Sequence, residues 1–356
     1  MNLRLLAVLL ISMLLIPLVA ATIPVRAEGI VLRVLTRHDT TIQREAKNAF
    51  LQSDLANQYG VTDIIFYSAL PENWKTVIDS MAARGQNIDI GWGGGPTLFD
   101  ELLDIGYLEP LTDPDLLSLV DSELPESIGG VPTKRFRDGQ LMWVAAAISS
   151  FGFTVNTELL QRYGLPTPVH WADLANETYA LRLPAEPLIG MADAPRSTSN
   201  TRMYQIMLQA YGWDEGWQII TLMGANARIY DASDAVREAV IRGEIAIGLT
   251  IDFYGYTAEY LTNGKAKYII PEGESIVNGD PIAIISGTKN KEAAEAFIRW
   301  VLSVEGQKIW LNPEINRLPI NPKVFDTPEG QQRPDLKAAY ENAVEHMGIQ
   351  FDDSLA

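Results

Sequence analysis

The chain contains no cysteine among its 356 residues, and its only histidines are His38, His170 and His346. The lack of cysteine excludes disulfides, thiolate nucleophiles, cysteine-ligated zinc, iron–sulfur clusters and a cysteine-linked lipid anchor. So few histidines argue against a multi-histidine metal centre. Basic residues are also scarce, because 28 Lys and Arg stand against 45 Asp and Glu, for a formal net charge of −17. We therefore expect no binding to nucleic acid, whose recognition depends on basic contacts to phosphates.

A long apolar run occurs only at residues 5–21, between Arg4 and the small-residue exit Val25-Arg26-Ala27. This order is typical of a secretory signal peptide that is cut after Ala27. A retained N-terminal anchor is the alternative, since a run of this length nearly spans a bilayer. We expect residues 1–27 to be a signal peptide and the rest to be secreted, to the periplasm or the outer face of the membrane.

Apolar residues make up 47% of the chain, which is enough for a large core divided between two lobes. From residue 30 onward, short apolar strands alternate with amphipathic helices, a pattern typical of an α/β fold with largely parallel sheets. Strands are predicted at residues 30–37, 63–67, 88–92, 187–192, 244–251 and 282–285. Helices are predicted at residues 42–57, 72–83, 96–105, 201–211, 216–223, 234–241, 291–303 and 305–311, with one more towards the C-terminus. The apolar run at residues 141–155 is predicted to cross between the lobes.

Four predicted strands end in polar, aromatic or glycine residues, which is where open α/β sheets bind ligands. The glycine run after Trp92 is either a tight turn with positive φ or one wall of a ligand site. A Walker phosphate loop is excluded, since no Lys-Ser or Lys-Thr follows. Backbone N–H groups at the start of a helix can still hold an anionic or carbonyl oxygen.

The other three strand ends also have a structural and a functional interpretation. The segment "PRSTSN", around Arg196, either caps a helix or binds an anion. Asp252 follows a buried apolar strand, where an unpaired carboxylate is costly, so we expect a cationic, hydrogen-bonding or metal partner. His38 and Asp39 form either a ligand pair or a helix cap beside an exposed histidine. The candidate ligand-binding residues are His38, Asp39, Trp92, Gly93, Gly94, Gly95, Arg196, Ser197, Thr198, Ser199, Asp252, Tyr254 and Tyr256.

These stretches resemble the substrate-binding components of ABC importers, the family 1 extracellular solute-binding proteins of the ferric-iron-binding-like group. The resemblance rests on "DIGWGGGPTLFDELLDIGYLEPL", "GEIAIGLTIDFYGY", "DPIAIISGTKNKEAAEAFIRWVLSVEGQKIW" and "NRLPINP", and it extends from about residue 31 to residue 324. It implies a two-lobe, type II periplasmic-binding-protein-like fold with a ligand cleft between the lobes. The first lobe is expected at residues 28–150 and 279–356, and the second at residues 151–278. A membrane permease and an ATPase are the implied partners of a monomeric binding protein, and "WGGGP" is the implied first-lobe wall of the cleft.

Iron-binding members of this group hold Fe(III) with two adjacent tyrosines, often with a histidine and a glutamate. Here Phe253 and Tyr254 stand at the tyrosine pair, and Gly94 lies near the expected glutamate. The remaining metal candidates are His38, Asp39, Tyr254 and Tyr256. We expect a small organic anion (a phosphonate, phosphate ester or carboxylate) and no cofactor. The alternatives are ferric iron with an anion, or a polyamine- or thiamine-type cation bound by Asp39 and Asp252.

Two other classes of protein compete with this prediction. Asp39 and Asp252 could form a carboxylate pair that hydrolyses glycosides, but nothing else supports an enzyme, since no nucleophile elbow is present. A sensor subunit that reports ligand occupancy to a membrane receptor would share the same fold. The sequence therefore favours a binding protein without enzymatic activity, which works by closure of its lobes.

Overall fold

The computed structural model describes residues 29–129, 131–345, 348–352 and 355. The predicted signal peptide lies outside these residues. Among the described helices, none has both the length and the apolar character that a membrane span requires.

Twelve of the described strands form one continuous mixed sheet, and β5 and β6 form a separate ribbon. The strands are β1 (Ile30–Thr36), β2 (Val61–Ser68), β3 (Ile90–Trp92), β4 (Leu108–Glu109), β5 (Ser127–Ile128), β6 (Val131–Pro132), β7 (Lys134–Arg137), β8 (Gln140–Asn156), β9 (Ile189–Ala192), β10 (Ala227–Tyr230), β11 (Ile247–Ile251), β12 (Ala266–Ile269), β13 (Val277–Ile285) and β14 (Leu318–Pro319).

Helices cover both halves of this sheet. They are α1 (Thr40–Leu51), α2 (Asp54–Gln58), α3 (Trp74–Ala83), α4 (Pro96–Asp104), α5 (Pro114–Glu123), α6 (Thr157–Tyr163), α7 (Thr198–Tyr211), α8 (Trp213–Asn226), α9 (Ser233–Ile241), α10 (Asp252–Leu261), α11 (Lys291–Leu302), α12 (Val304–Gln307), α13 (Pro328–Gln331) and α14 (Pro334–Glu345).

The order of strands along the sheet, β10-β9-β11-β8-β13-β3-β1-β2, separates two lobes. Strands β1, β2 and β3 are parallel to one another in the first lobe, and β9, β10 and β11 are parallel in the second. The antiparallel strands β8 and β13 lie between the two groups and join them. Apolar cores have formed on both sides, around Trp92 and Phe297 in the first lobe and around Phe153 and Ile189 in the second. The predicted α/β class with two lobes is confirmed, while the exact residue boundaries of the lobes stay a prediction.

Strand β8 explains why the apolar run at residues 141–155 has no amphipathic period. All of its residues after Gln140 are buried, since it pairs with β13 at one end and with β11 and β12 at the other. A strand that is covered on both faces reads as a continuous apolar run.

Several boundaries differ from the prediction, and two of the differences have clear local reasons. The helix predicted at residues 42–57 is interrupted, because the Ser53 hydroxyl accepts a hydrogen bond from the Ala56 N–H and so caps a new helix, α2. Strand β13 begins at Val277, before the predicted residue 282, because Asn278 and Asp280 are buried strand residues despite their polarity.

Candidate functional site

A cleft of about 440 Å³ lies between the two lobes. Its walls are formed where β1, β3, β9 and β11 end and where α1, α4, α7 and α10 begin. The residues that line it and carry polar, charged or aromatic groups include Arg37, His38, Asp39, Glu72, Thr97, Glu101, Ser149, Thr198, Ser199, Arg202, Gln205, Ser233, Phe253, Tyr254, Asn278, Asp280 and Arg317.

The three glycines after Trp92 all have positive φ, at 77°, 116° and 86°. This conformation turns two consecutive N–H groups towards one point, and the Asp280 carboxylate occupies that point. Its Oδ1 accepts from the Gly94 N–H at 2.9 Å and from the Gly95 N–H at 3.0 Å, while the Gly93 N–H donates to a backbone carbonyl. The loop is therefore an anion-binding nest filled by a carboxylate of the chain itself. This corrects the expectation that these N–H groups face a ligand, although Gly94 and Gly95 do line the cleft.

The same carboxylate forms a buried ion pair with Arg317, whose Nη2 lies 2.6 Å from Asp280 Oδ2. Arg317 also donates to Ser149 Oγ at 3.3 Å and contacts His38 Nδ1 at 3.2 Å. Its guanidinium carbon lies 4.6 Å from the centre of the Phe253 ring. Arg317 thus joins both crossing strands to the start of a second-lobe helix at the floor of the cleft.

His38 is buried beside this pair, and burial together with the Arg317 charge lowers its pKa to about 3. The neutral ring accepts from Arg317 through Nδ1, which places the proton on Nε2. That Nε2 has no hydrogen-bond partner among the described residues, and it lies 3.8 Å from Asp280. His38 is a neutral donor at the cleft floor and not a cation.

Trp92 belongs to the first-lobe core and does not line the cleft. It is fully buried, with its ring centre 4.5 Å from that of His38, 5.7 Å from Phe297 and 5.8 Å from Trp310. This corrects the expected ligand stacking, because Trp92 supports His38 from behind. The lack of a side chain at Gly93 leaves room for the His38 ring, since a Cβ at residue 93 would lie 2.7 Å from that ring.

The start of α7 brings hydroxyl groups to the second-lobe wall. The Ser197 hydroxyl is buried and caps the helix by accepting from the Asn200 N–H, while Thr198 and Ser199 line the cleft. Arg196 is exposed, with Nη1 3.3 Å from Asp231 Oδ1, and it is not among the lining residues. Its expected place is taken by a different arginine.

That arginine is Arg202, which lies one helical turn beyond Thr198 and therefore on the same face of α7. It is buried, lines the cleft, and donates from Nη1 to Thr97 Oγ1 of the first lobe at 3.4 Å. The spacing of four residues was visible in the sequence, and it was the one signal that could have identified Arg202.

Asp252 is fully buried beneath the cleft and is not among its lining residues. Its carboxyl accepts from the Ser150 N–H and from the Phe253 N–H, both at 2.7 Å. Of the expected partners, the structure thus supplies hydrogen bonds. They do not offset the loss of water, and burial raises the pKa of Asp252 to about 7.

The two predicted tyrosines lie in different places. Tyr254 lines the cleft, and burial raises its pKa to about 12. Tyr256 faces away from the cleft, packs against Tyr268 at 5.3 Å between ring centres, and has its pKa raised above the usual range by burial.

The charged side chains around the cleft differ in their burial and in their hydrogen bonding. Arg37 lines it with a buried Nε that has no hydrogen-bond partner among the described residues, and burial lowers the pKa of Arg37. Asp39 caps α1 by accepting from two N–H groups, and Glu72 and Glu101 are exposed at the rim. The described residues contain no group of three His, Cys, Asp or Glu side chains that could hold a metal ion.

The sequence of the chain is similar to that of known binding proteins. A family model described as "Bacterial extracellular solute-binding protein" matches residues 53–338. The phosphoglycerate transport regulatory protein PgtC of Salmonella typhimurium is 28% identical over 257 residues. That alignment covers 72% of this chain and 59% of PgtC, so the chain spans about three-fifths of the length of this relative.

Solved structures with a similar fold include two with bound ligands. AfuA from Actinobacillus pleuropneumoniae, with fructose-6-phosphate bound, has a TM-score of 0.68 at 17% identity, covering 88% of this chain and 98% of AfuA. Iron-bound HitA from Pseudomonas aeruginosa has a TM-score of 0.64 at 18% identity, covering 82% of this chain and 87% of HitA. At such identities the likeness establishes the fold, that of type II periplasmic binding proteins.

Proposed function

Because the chain belongs to the family of bacterial extracellular solute-binding proteins, we propose that its cleft captures a small organic phosphate ester for an ABC importer. In this proposal the lobes close on the ligand, and the loaded protein delivers it to a membrane permease that is driven by an ATPase. The single observation that carries the choice of an anion is the charge arrangement of the cleft.

The carboxylates of the cleft are already engaged or lie at its edge. Asp280 is neutralised by Arg317 and two glycine N–H groups, and Asp39 is committed to capping α1. On the inner walls, the side chains of Arg37 and Arg202 line the cleft. An anionic ligand that enters fully therefore meets two guanidinium groups on the inner walls, although the acidic residues that line the cleft outnumber its arginines by four to three.

Helix starts add to this positive potential. The N-terminal N–H groups of a helix lack intrahelical acceptors and carry a partial positive charge. Helix α4 presents Thr97 and Leu98 to the cleft, with a glycine as N-cap and therefore no capping side chain. Opposite them, α7 presents Thr198 and Ser199. We place the phosphate group between these two helix starts, within reach of Arg202.

The organic part of the ligand has a separate wall. Phe253, Tyr254, Phe151 and Ile251 form an apolar and aromatic surface on the second lobe. A volume of about 440 Å³ lies within the range of pockets that hold small organic molecules. The name of PgtC refers to phosphoglycerate, and the structure of AfuA contains fructose-6-phosphate. Both are phosphate esters, which agrees with the proposed class.

The residues present fit the other ligands less well. Ferric iron needs phenolate and carboxylate ligands, but burial raises the pKa of Tyr254, Phe253 has no phenol, and Tyr256 faces away. A polyamine- or thiamine-type cation would require both Asp39 and Asp252. Asp39 lines the cleft and caps α1 through Oδ1, but Asp252 lies beneath the wall. For the same reason, Asp39 and Asp252 do not form the pair of carboxylates in the cleft that a glycoside hydrolase would require.

The test measures ligand-induced stabilisation and then affinity. Three-carbon and six-carbon phosphate esters are each compared with their unphosphorylated parents and with Fe(III)-citrate, first by thermal unfolding and then by calorimetry. We expect phosphate esters alone to raise Tm, and Arg202→Gln to weaken their binding about 10- to 100-fold, because a charge-assisted hydrogen bond contributes about 1.5–3 kcal/mol. The matched control is Arg196→Gln, which removes an exposed guanidinium outside the cleft. Binding of Fe(III)-citrate with no response to any ester would overturn the proposal.

Transport and sensing share this cleft, and the partner distinguishes them. Capture of the ligand-loaded protein by its permease and ATPase in detergent would support import. Capture by a receptor kinase or chemoreceptor instead would assign the protein to sensing.

A further inference from the structure

The C-terminal segment passes from one lobe to the other. Helix α14 packs on the first lobe, where Leu336 and Ala343 are part of the core. Residues 348–352 lie on the second lobe instead, and we call them the C-terminal strap. The Ile349 N–H donates to the Ser275 carbonyl at 3.1 Å. Among the described residues, the strap thus adds contacts between the C-terminal region and the second lobe to the connections made by β8 and β13.

Further contacts hold the strap on helix α7. The Asp352 N–H donates to Gln209 Oε1 at 2.8 Å, and Gln209 Nε2 donates back to the Asp352 carbonyl at 2.9 Å. Ile349 and Phe351 pack against the second-lobe core. Backbone pairing with a helix side chain fixes the register of the strap along α7.

This register places the Phe351 ring on Arg202. The guanidinium carbon lies 4.1 Å from the ring centre, within the range of cation–π contacts. The same guanidinium donates to Thr97 Oγ1 across the cleft. One continuous series of contacts therefore runs from the strap, through a cleft arginine of the second lobe, to the start of α4 in the first lobe.

We propose that Phe351 is a positioning residue for the cleft. By stacking on Arg202 it restricts the rotamers of this long side chain and so favours the one that reaches Thr97. The ordered guanidinium holds Thr97, which favours the approach of the two lobes before any ligand arrives. This role of the strap follows from contacts within the chain, and only the binding measurement below rests on the proposed function.

The first experiment measures the separation of the lobes without ligand. The chain lacks cysteine, so Asn73→Cys and Asp231→Cys introduce two unique sites for spin labels. Both positions are exposed, and they flank the cleft on opposite lobes, close to the lining residues Glu72 and Ser233. Distances are measured by double electron–electron resonance.

We expect Phe351→Ala to lengthen and broaden the label distance, and Phe351→Trp to restore the parental distribution, because a larger ring still stacks on the guanidinium. Trp213→Ala is the control, since this aromatic residue is exposed on the second lobe outside the cleft. In the background of Arg202→Gln, Phe351→Ala should change nothing further. An unchanged distribution in Phe351→Ala overturns the proposal, and so does an equal effect with and without Arg202.

The second experiment measures the affinity for the phosphate esters by calorimetry, with inorganic phosphate as the minimal probe. We expect Phe351→Ala to weaken ester binding about 5- to 10-fold. Phe351→Trp, which keeps a ring on the guanidinium and on the second-lobe core, should bind the esters like the parent. The two failures are distinguishable. If Phe351→Ala lengthens the label distance but no phosphate compound binds, the role of the strap is retained and the proposed ligand is refuted. If the esters bind and Phe351→Ala changes neither the distance nor the affinity, the proposed role of the strap is refuted.

Discussion

The buried carboxyl of Asp252 predicts a specific pH dependence of stability. Its pKa is raised from 3.8 to about 7, primarily by burial. Between these two values the folded chain keeps a proton that the unfolded chain has lost. Folding stability contributed by this group is therefore fully present at low pH and is lost as pH rises towards 7. At about 1.4 kcal/mol per pKa unit, the displacement corresponds to about 4 kcal/mol.

His38 acts in the opposite direction over part of the same range. Its folded pKa of about 3 lies below the ordinary value of 6.5, so the unfolded chain binds the additional proton and stability is lost as pH falls from about 6.5 to about 3. The two slopes partly cancel in the parent protein. A measurement on the parent alone would therefore underestimate both groups.

The substitution Asp252→Asn separates them, because the difference between parent and variant cancels His38. The amide can accept from Ser150 or from Phe253 but not from both through one oxygen, which costs about 1–3 kcal/mol at every pH. Relative to the parent, the variant should then gain about 4 kcal/mol between about pH 4 and pH 8. The assay is urea unfolding followed by circular dichroism, with m required to stay constant. A difference between parent and variant that is the same at all pH values would refute the raised pKa.

Three further predictions concern the floor of the cleft and its surroundings. Arg317→Met should lower the free energy of unfolding by about 3–5 kcal/mol, because it leaves Asp280 buried without its cation. Adding Asp280→Asn should recover part of this loss in a double-mutant cycle measured by urea unfolding. Strictly additive effects of the two substitutions would contradict the ion pair. Gly93→Ala should lower the free energy of unfolding by about 2 kcal/mol or more, because φ is positive and the Cβ would meet the His38 ring. The control is Gly106→Ala, which also has positive φ but open space around it, and it should lower the free energy of unfolding less in the same assay. Arg196→Ala should leave both Tm and ester affinity unchanged, and loss of affinity by calorimetry would return this arginine to the site.

Much of the fold could be predicted because its signals are local. In the run at residues 141–155, polar residues do not alternate with apolar ones, and this pattern is typical of a strand that is buried on both faces. Alternating strands and helices determined the α/β class, and the sequence resemblance implied two lobes. Helix α10 was missed because its first residues, beginning with Asp252, follow directly on strand β11 without a polar loop between them.

The candidate site was predicted only as far as the backbone determines it. The strand-end rule located the segments around His38, Gly94 and Thr198, which line the cleft. It could not identify which side chain fills the glycine nest, since Asp280 lies 186 residues beyond Gly94. Contacts over such separations depend on the register of crossing strands, and that register has no signature in composition or local period.

Under the proposed function, the position of the arginines reconciles an acidic chain with an anionic ligand. The net charge of −17 acts at long range, but its field in solution decays over about 8 Å at physiological ionic strength. Inside the cleft, Arg37 and Arg202 lie among helix starts, where burial reduces screening. Asp280 is paired with Arg317, Asp39 caps α1, and Glu72 and Glu101 lie at the exposed rim. Attraction of an anion therefore begins only within the cleft. Such an arrangement favours a ligand small enough to enter completely, and it disfavours large polyanions, which would remain exposed to the acidic surface.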